Sequence, residues 1–227
     1  MRNDDPQCTM DGTSAQSSAR LAGGDPIKAL LFDFDGTLTT PGALDFPCIK
    51  SALGCPLDTP ILEYIQSLED QRSQTEAMER LAVFEIEAAQ RSTPNIGALE
   101  TIAWLKRRNL ALGIITRNSR ASVLSALEGF HPLGARDFNM IITREDPVAP
   151  KPSGEGILWA ASRFHLTPRQ VLMVGDYLFD CQAGKDAGAV TILLDSGNDP
   201  RLRDAECDYR IGRLVEIKTI LEQLGNG

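Results

Sequence analysis

The chain has 227 residues, in which 31 acidic side chains outnumber 23 basic ones and give a formal net charge of −8. That balance argues against a surface that neutralises nucleic-acid phosphates or anionic lipid, although it does not exclude a small anionic substrate. A hydrophobic content of 42% is ample for a buried core, and an aromatic content of 6% disfavours a stacking platform for single-stranded nucleic acid.

The cysteines and the hydropathy of the chain indicate a soluble intracellular protein. None of the five cysteines lies in a Cys-x-x-Cys pair and there are two histidines, so a structural zinc site is not expected. Free thiols fit a reducing compartment, and no apolar run approaches the ~20 residues that span a bilayer. We therefore expect a cytoplasmic monomer or homodimer that binds neither nucleic acid nor membrane.

The predicted elements begin after a polar segment. Residues 1–26 are rich in Ser, Gly, Asp and Gln and lack the apolar core of a signal peptide, so a disordered tail is predicted there. Short apolar runs that end at polar residues or Gly are typical of buried parallel strands. They occur at residues 27–32, 110–115, 138–142, 171–174 and 190–194.

Helical patterns separate most of these strands. They cover residues 119–127, 156–164, 180–187 and 211–224, with a single turn at 167–170. Alternating strands and helices predict an α/β fold, with a Rossmann-like, mostly parallel sheet flanked by helices.

One long segment breaks the alternation. Between residues 41 and 108 there are three helical patterns, which begin near Thr59-Pro60, at a capping box from Ser73 to Glu76, and at about residue 96. A βαβ connection seldom needs three helices, so we predict a small helical cap, residues 41–108, inserted into a core of residues 27–40 and 109–227. The last of the three helices is also compatible with the core, and a long crossover connection is the alternative.

Polar side chains follow the predicted strands at the edge where parallel sheets bind ligands. They are Asp33, Asp35, Thr116, Lys151, Asp176 and Asp180. Clustered carboxylates repel each other unless a cation neutralises them, and oxygen ligands without thiolate or imidazole suit Mg²⁺. The Thr116 hydroxyl and the Lys151 ammonium group can donate hydrogen bonds to phosphate oxygens. One carboxylate can act as a nucleophile, and a second can act as acid and base.

Four short motifs carry a resemblance to a known family. They are D-F-D-G-T-L at residues 33–38, I-I-T-R-N at 114–118, Lys-Pro at 151–152 and G-D-Y-L-F-D at 175–180. Their order and spacing resemble the four motifs of the haloacid dehalogenase superfamily. The helical insertion between the first two is similar to the type-1 cap of its phosphoglycolate-phosphatase-like members.

The resemblance implies a role for each motif residue. Asp33 would be the nucleophile and a metal ligand, and Asp35 the general acid and base, with its backbone carbonyl also on the metal. Thr116 and Lys151 would hold the phosphoryl group. Asp176 would bind Mg²⁺ directly, and Asp180 would either support the metal through water or orient Lys151.

The residues after Thr116 have two interpretations each. Asn118 either assists in the phosphate pocket or caps the next helix, and Arg117 either touches the phosphorylated substrate or forms a surface salt bridge. Cap residues close to the first motif are further candidates for contact with the substrate: Thr39, Thr40, Leu44, Asp45, Phe46 and Lys50.

The predicted function is that of a Mg²⁺-dependent phosphatase. It would hydrolyse a small soluble phosphomonoester through an aspartyl-phosphate intermediate. Dehalogenase members lack the second aspartate, so the presence of Asp35 disfavours dehalogenation. The alternatives are a sugar phosphomutase of the same superfamily and a non-catalytic phosphate-binding protein on the same fold.

Overall fold

The computed structural model describes residues 25–195, 197 and 199–225, and most of the predicted tail lies outside that range. Six strands form one sheet, and every neighbouring pair is parallel. In chain order they are β1 (Ala29–Phe32), β2 (Ala111–Ile115), β3 (Met140–Ile142), β4 (Val171–Gly175), β5 (Val190–Leu194) and β6 (Tyr209–Ile211). Their spatial order is β3-β2-β1-β4-β5-β6.

Eight α-helices accompany the sheet in the described part of the chain. They are α1 (Phe46–Leu53), α2 (Ile61–Gln66), α3 (Gln71–Arg91), α4 (Ala98–Arg107), α5 (Arg120–Leu127), α6 (Glu155–Arg163), α7 (Leu178–Ala187) and α8 (Ile217–Gln223). None in the described part of the chain is both long and apolar enough to cross a membrane. The parallel α/β architecture predicted from the strand pattern is confirmed.

The core is a three-layer sandwich, because the central strands β1, β4 and β5 bury both of their faces. Leu30 and Phe32 point to one side of β1, where α4, α5 and α8 pack, whereas Leu31 points to the other side, where α6 and α7 pack. This alternation follows from the two-residue period of a strand. The predicted helix from about residue 96 thus packs, as α4, against the sheet.

Helices α1, α2 and α3, called the cap helices below, enclose a separate apolar cluster. Ile49, Ile65 and Leu81 represent the three helices in it. The two chain segments that connect the cap helices to the sheet run side by side, since the Thr40 N–H donates to the Thr93 carbonyl over 2.9 Å. Residue 39 also forms an isolated antiparallel bridge with residue 94.

Four details differ from the sequence prediction. Strand β6 was not predicted, and its last residue, Ile211, was assigned to the last helix, which begins only at Ile217. Helix α1 was not predicted. Helix α3 begins at Gln71 rather than at the Ser73 box, because the Asp70 carboxylate caps it by accepting the Ser73 N–H over 2.9 Å. Helix α5 is capped by Ser119 and not by Asn118.

Candidate active site

The sheet order places β1 and β4 side by side at the centre, with Phe32 opposite Val174. The chain leaves both strands at the same edge, at the point where the strand order reverses and α/β sheets form a crevice. The Asp33 N–H donates to the Val174 carbonyl over 2.8 Å, which holds the start of the first motif against the end of β4. Asp33 and Asp176 therefore face the same space.

Three carboxylates meet there. Asp33, Asp176 and Asp180 each offer an oxygen within 4.8 Å of the others. Gly36 makes this approach feasible: its φ is +79°, and a Cβ at this position would lie 2.0 Å from Asp176 Oδ2. The Asn95 side chain fixes the same turn by donating to the Gly36 and Thr37 carbonyls over 3.1 and 3.0 Å. Asn95 was not singled out in the sequence.

Lys151 lies between two of these carboxylates. Its ammonium group donates to Asp33 Oδ1, and to Asp180 Oδ1 over 2.6 Å. The lysine is 3% exposed. Burial alone would lower its pKa, but Asp180 and Asp33 outweigh that effect and raise the pKa above the ordinary value. Lys151 therefore stays charged at the edge of the site.

Both carboxylate oxygens of Asp180 accept hydrogen bonds from other residues of the protein. Oδ1 accepts from Lys151, and Oδ2 accepts the Tyr177 N–H over 3.0 Å at the start of α7. Burial raises the pKa of Asp180 to about 6, with Asp33 adding to the rise while Lys151 opposes it. This arrangement supports the expectation that Asp180 orients Lys151.

Asp35 is hydrogen-bonded to the segment after β2. Its Oδ2 accepts a hydrogen bond from the Asn118 side-chain amide. Burial, followed by the negative charge of Asp33, raises the pKa of Asp35 to about 7. The interpretation of Asn118 as a helix cap is thus wrong, and its amide holds the carboxyl group predicted as the general acid.

Thr116 and Arg117 follow β2 at the same edge. Thr116 is buried, and its hydroxyl oxygen accepts the Asn118 N–H over 3.2 Å, so its own hydrogen can go to a further acceptor. Arg117 forms an ion pair with Glu63 of α2. In the described chain it therefore spans from the strand edge to the cap helices rather than lying alone at the surface.

The cap residues close to the first motif make mostly local contacts. Thr40 bonds to Thr93, the Asp45 carboxylate caps α1, and the Lys50 ammonium group donates to the Leu57 carbonyl over 2.6 Å. Their contact with a substrate stays a prediction.

The donor set fits a hard divalent cation. The three clustered groups are carboxylates, and no described histidine or cysteine belongs to the cluster. Burial, followed by the charges of Asp33 and Asp180, raises the pKa of Asp176 to about 8. A raised pKa means that the ionised form lacks a counter-charge, and a bound cation would supply one.

The comparisons agree with this geometry. Residues 30–194 match the family model of haloacid dehalogenase-like hydrolases. This range contains the motif residues named above and strands β1 to β5, apart from the first residue of β1. An uncharacterized hydrolase of Saccharomyces cerevisiae is 34% identical over 77% of this chain and 80% of its own. The phosphoglycolate phosphatase of Nitrosococcus oceani is 31% identical over 63% of this chain and 64% of its own. The crystal structure of a hydrolase from Pseudomonas syringae shares the fold, with a TM-score of 0.73, 21% identity, and coverage of 86% of this chain and 98% of that one.

The chain belongs to the haloacid dehalogenase-like hydrolase family. The resemblance noted from the four motifs is therefore confirmed, and one of the relatives carries the name phosphoglycolate phosphatase.

The pKa values of the clustered carboxyl groups predict how stability depends on pH. The folded pKa values of Asp176 and Asp180 lie above the unfolded value of 3.8, so the folded state binds more protons between about pH 4 and 8. Stability of the metal-free protein should therefore fall as pH rises through that window. With EDTA present, we expect the melting temperature to drop by several degrees from pH 5 to 8.5.

Saturating Mg²⁺ should reduce that drop, because a cation binds the deprotonated carboxylates of the folded state. Asp176→Asn is the control, and it should flatten the pH dependence in EDTA and weaken the response to Mg²⁺. A melting temperature in EDTA that rises with pH, or that is unaffected by Mg²⁺ at pH 8.5, would contradict the account.

Proposed function

We propose that the protein is a Mg²⁺-dependent phosphatase that hydrolyses a small soluble phosphomonoester through an aspartyl-phosphate on Asp33. The observation that carries this proposal is the pairing of two unlike carboxyl groups at one strand end. Asp33 is held by the charged Lys151, whereas Asp35 has a pKa near neutrality. A carboxylate paired with a lysine suits a nucleophile, and a carboxyl group with a pKa near neutrality suits an acid and base.

In the first step, an Asp33 oxygen attacks phosphorus and the bond to the ester oxygen breaks. Asp35 gives its proton to that oxygen, so the alcohol leaves neutral. In the second step, Asp35 takes a proton from water as the water oxygen attacks phosphorus, and the bond between phosphorus and Asp33 breaks. Inorganic phosphate leaves, and both carboxyl groups return to their starting state. A pKa of about 7 makes both forms of Asp35 accessible at neutral pH.

The other site residues hold the phosphoryl group and the carboxylates. Lys151 and the Thr116 hydroxyl would donate to phosphoryl oxygens, and Asn118 would orient Asp35. Asp33, Asp176 and the Asp35 carbonyl would hold Mg²⁺, with Asp180 behind Lys151. When bound, Mg²⁺ would offset the negative charge that accumulates on the phosphoryl oxygens.

The domain organisation predicted from the sequence extends this proposal. Residues 41–108 would form a cap over a core of residues 27–40 and 109–227, although α4 packs against the core. A cap of three helices suits a small substrate, as does the name of the phosphoglycolate phosphatase relative. The free thiols of the four described cysteines support a reducing, cytoplasmic location.

The direct test is phosphate release by the purified full chain. With Mg²⁺ we expect hydrolysis of p-nitrophenyl phosphate and of at least one small phosphomonoester in a panel of phosphoglycolate and sugar phosphates. Addition of EDTA should remove the activity, and excess Mg²⁺ should restore it. Absence of phosphate release across the panel would contradict the proposal, as would full activity in EDTA. Conversion of a hexose phosphate into its isomer without phosphate release would favour the phosphomutase.

A further inference from the structure

Two ion pairs join the cap helices to the rest of the described chain. One connects Glu85 of α3 with Arg144, which follows β3, and the other connects Glu63 of α2 with Arg117, which follows β2. They differ in their exposure to solvent. We call the Glu85–Arg144 pair the inner pair and the Glu63–Arg117 pair the outer pair.

The inner pair is shielded from water. The Glu85 and Arg144 side chains are 4% and 8% exposed, and Glu85 also accepts the Ser119 N–H over 3.1 Å at the start of α5. Separating such a pair leaves a buried charge without a partner, which is strongly unfavourable. The inner pair therefore anchors α3 to the sheet side of the molecule.

The outer pair is only partly shielded from water. The Arg117 and Glu63 side chains are 18% and 42% exposed, and the distance between Arg117 Nη2 and Glu63 Oε2 is 2.5 Å. Ion pairs with this exposure contribute little to stability, so they separate and re-form easily. The outer pair can thus break while the inner pair stays intact.

Arg117 also has contacts on the sheet side that do not depend on Glu63. Its guanidinium group donates to the Lys151 carbonyl and lies over the Phe179 ring, 5.0 Å from the centroid. Arg117 also directly follows Thr116 in the chain. One side chain thereby contacts the segments that carry Lys151 and Asp180, and through Glu63 it reaches the cap helices.

We infer that Glu63 is a positioning residue, which acts through Arg117 to hold α2 over the edge of the sheet where the catalytic carboxylates lie. Helix α3 would stay anchored by Glu85 while the contact between α2 and Arg117 breaks and re-forms. This inference rests on the proposed function, because a site that turns over a substrate needs such a movement.

Hydrogen–deuterium exchange of the full chain with Mg²⁺ tests the contact without any substrate. We expect Glu63→Gln to speed exchange of amides within residues 44–68 by about two- to fivefold, which corresponds to loss of an exposed ion pair. Exchange in α3 should stay unchanged. Glu76→Gln is the matched control: it removes the same charge from the exposed Arg72–Glu76 pair on α3, and it should not alter exchange within residues 44–68.

A double-mutant cycle separates the pair from other effects. Arg117→Gln should produce the same local change, and the double variant should show no further increase. Where a substrate is turned over, Glu63→Gln should raise KM by about two- to fivefold, with little change in kcat. Unchanged exchange in Glu63→Gln, an equal effect of Glu76→Gln, additive effects in the cycle, or faster exchange spread through α3 would each overturn the inference. Because exchange needs no turnover, this result is independent of whether the phosphatase proposal holds.

Discussion

Replacing Asp33 by asparagine is expected to lower phosphate release by at least about 10⁴-fold, as for other enzymes that lose a nucleophile. The amide oxygen of the substituted side chain is a weak nucleophile, and its nitrogen cannot form the acyl phosphate. The loss should appear in kcat for every substrate, irrespective of its leaving group. Steady-state assays with p-nitrophenyl phosphate and with an alkyl phosphate measure it.

The Asp33→Asn variant should still fold. Lys151 keeps its 2.6 Å contact with Asp180, and the loss of the Asp33 charge relieves the repulsion that raises the pKa values of Asp35 and Asp176. Circular dichroism should therefore show the native fold. Asp58→Asn, at an exposed cap position, should keep full activity. Retention of activity in Asp33→Asn would refute the assigned nucleophile.

Replacing Asp35 by asparagine is expected to lower turnover by about 10²- to 10⁴-fold, the usual contribution of a positioned acid and base. The two half-reactions should respond differently. A nitrophenolate leaves without a proton, so phosphorylation of Asp33 should continue, whereas attack by water loses its base. The expected signature is a burst of nitrophenol equal to the enzyme concentration, followed by a slow phase.

The fold of Asp35→Asn should be intact, because the carbonyl oxygen of the substituted amide can accept the same hydrogen bond from Asn118 that the carboxyl group accepts. An alkyl phosphate needs the proton from Asp35 on its leaving oxygen. The activity of the variant should therefore fall further with an alkyl phosphate than with p-nitrophenyl phosphate, and the alkyl phosphate should give no burst. Equal losses for the two substrates would mean that Asp35 does not protonate the leaving group.

The strands that bear the site were predictable from sequence. Their apolar runs end at Asp33, Thr116 and Asp176, and a parallel sheet brings these ends to one edge. Strand β6 was missed because it has three residues, including the exposed Arg210. Such short edge strands are defined by pairing with a neighbour, here β5, rather than by local periodicity.

The motif residues were also predictable, but their contacts were not. Asn118 bonds to a carboxyl group 83 positions away, and Asn95 bonds to a turn 58 and 59 positions away. The partner of Arg117 lies on α2, 54 positions earlier. No local pattern reports such pairs, since they depend on how the cap helices pack against the sheet. The acidic net charge did not signal them either, although part of it belongs to the clustered carboxylates.

The most direct measurement is mass spectrometry of the Asp35→Asn variant, quenched in acid during turnover of p-nitrophenyl phosphate with Mg²⁺. We expect one phosphoryl group on the peptide that contains Asp33, in an amount equal to the burst. The modification should be absent from the Asp33→Asn variant treated in the same way. A peptide without the phosphoryl group despite a burst, or a phosphoryl group on another residue, would contradict an aspartyl-phosphate on Asp33.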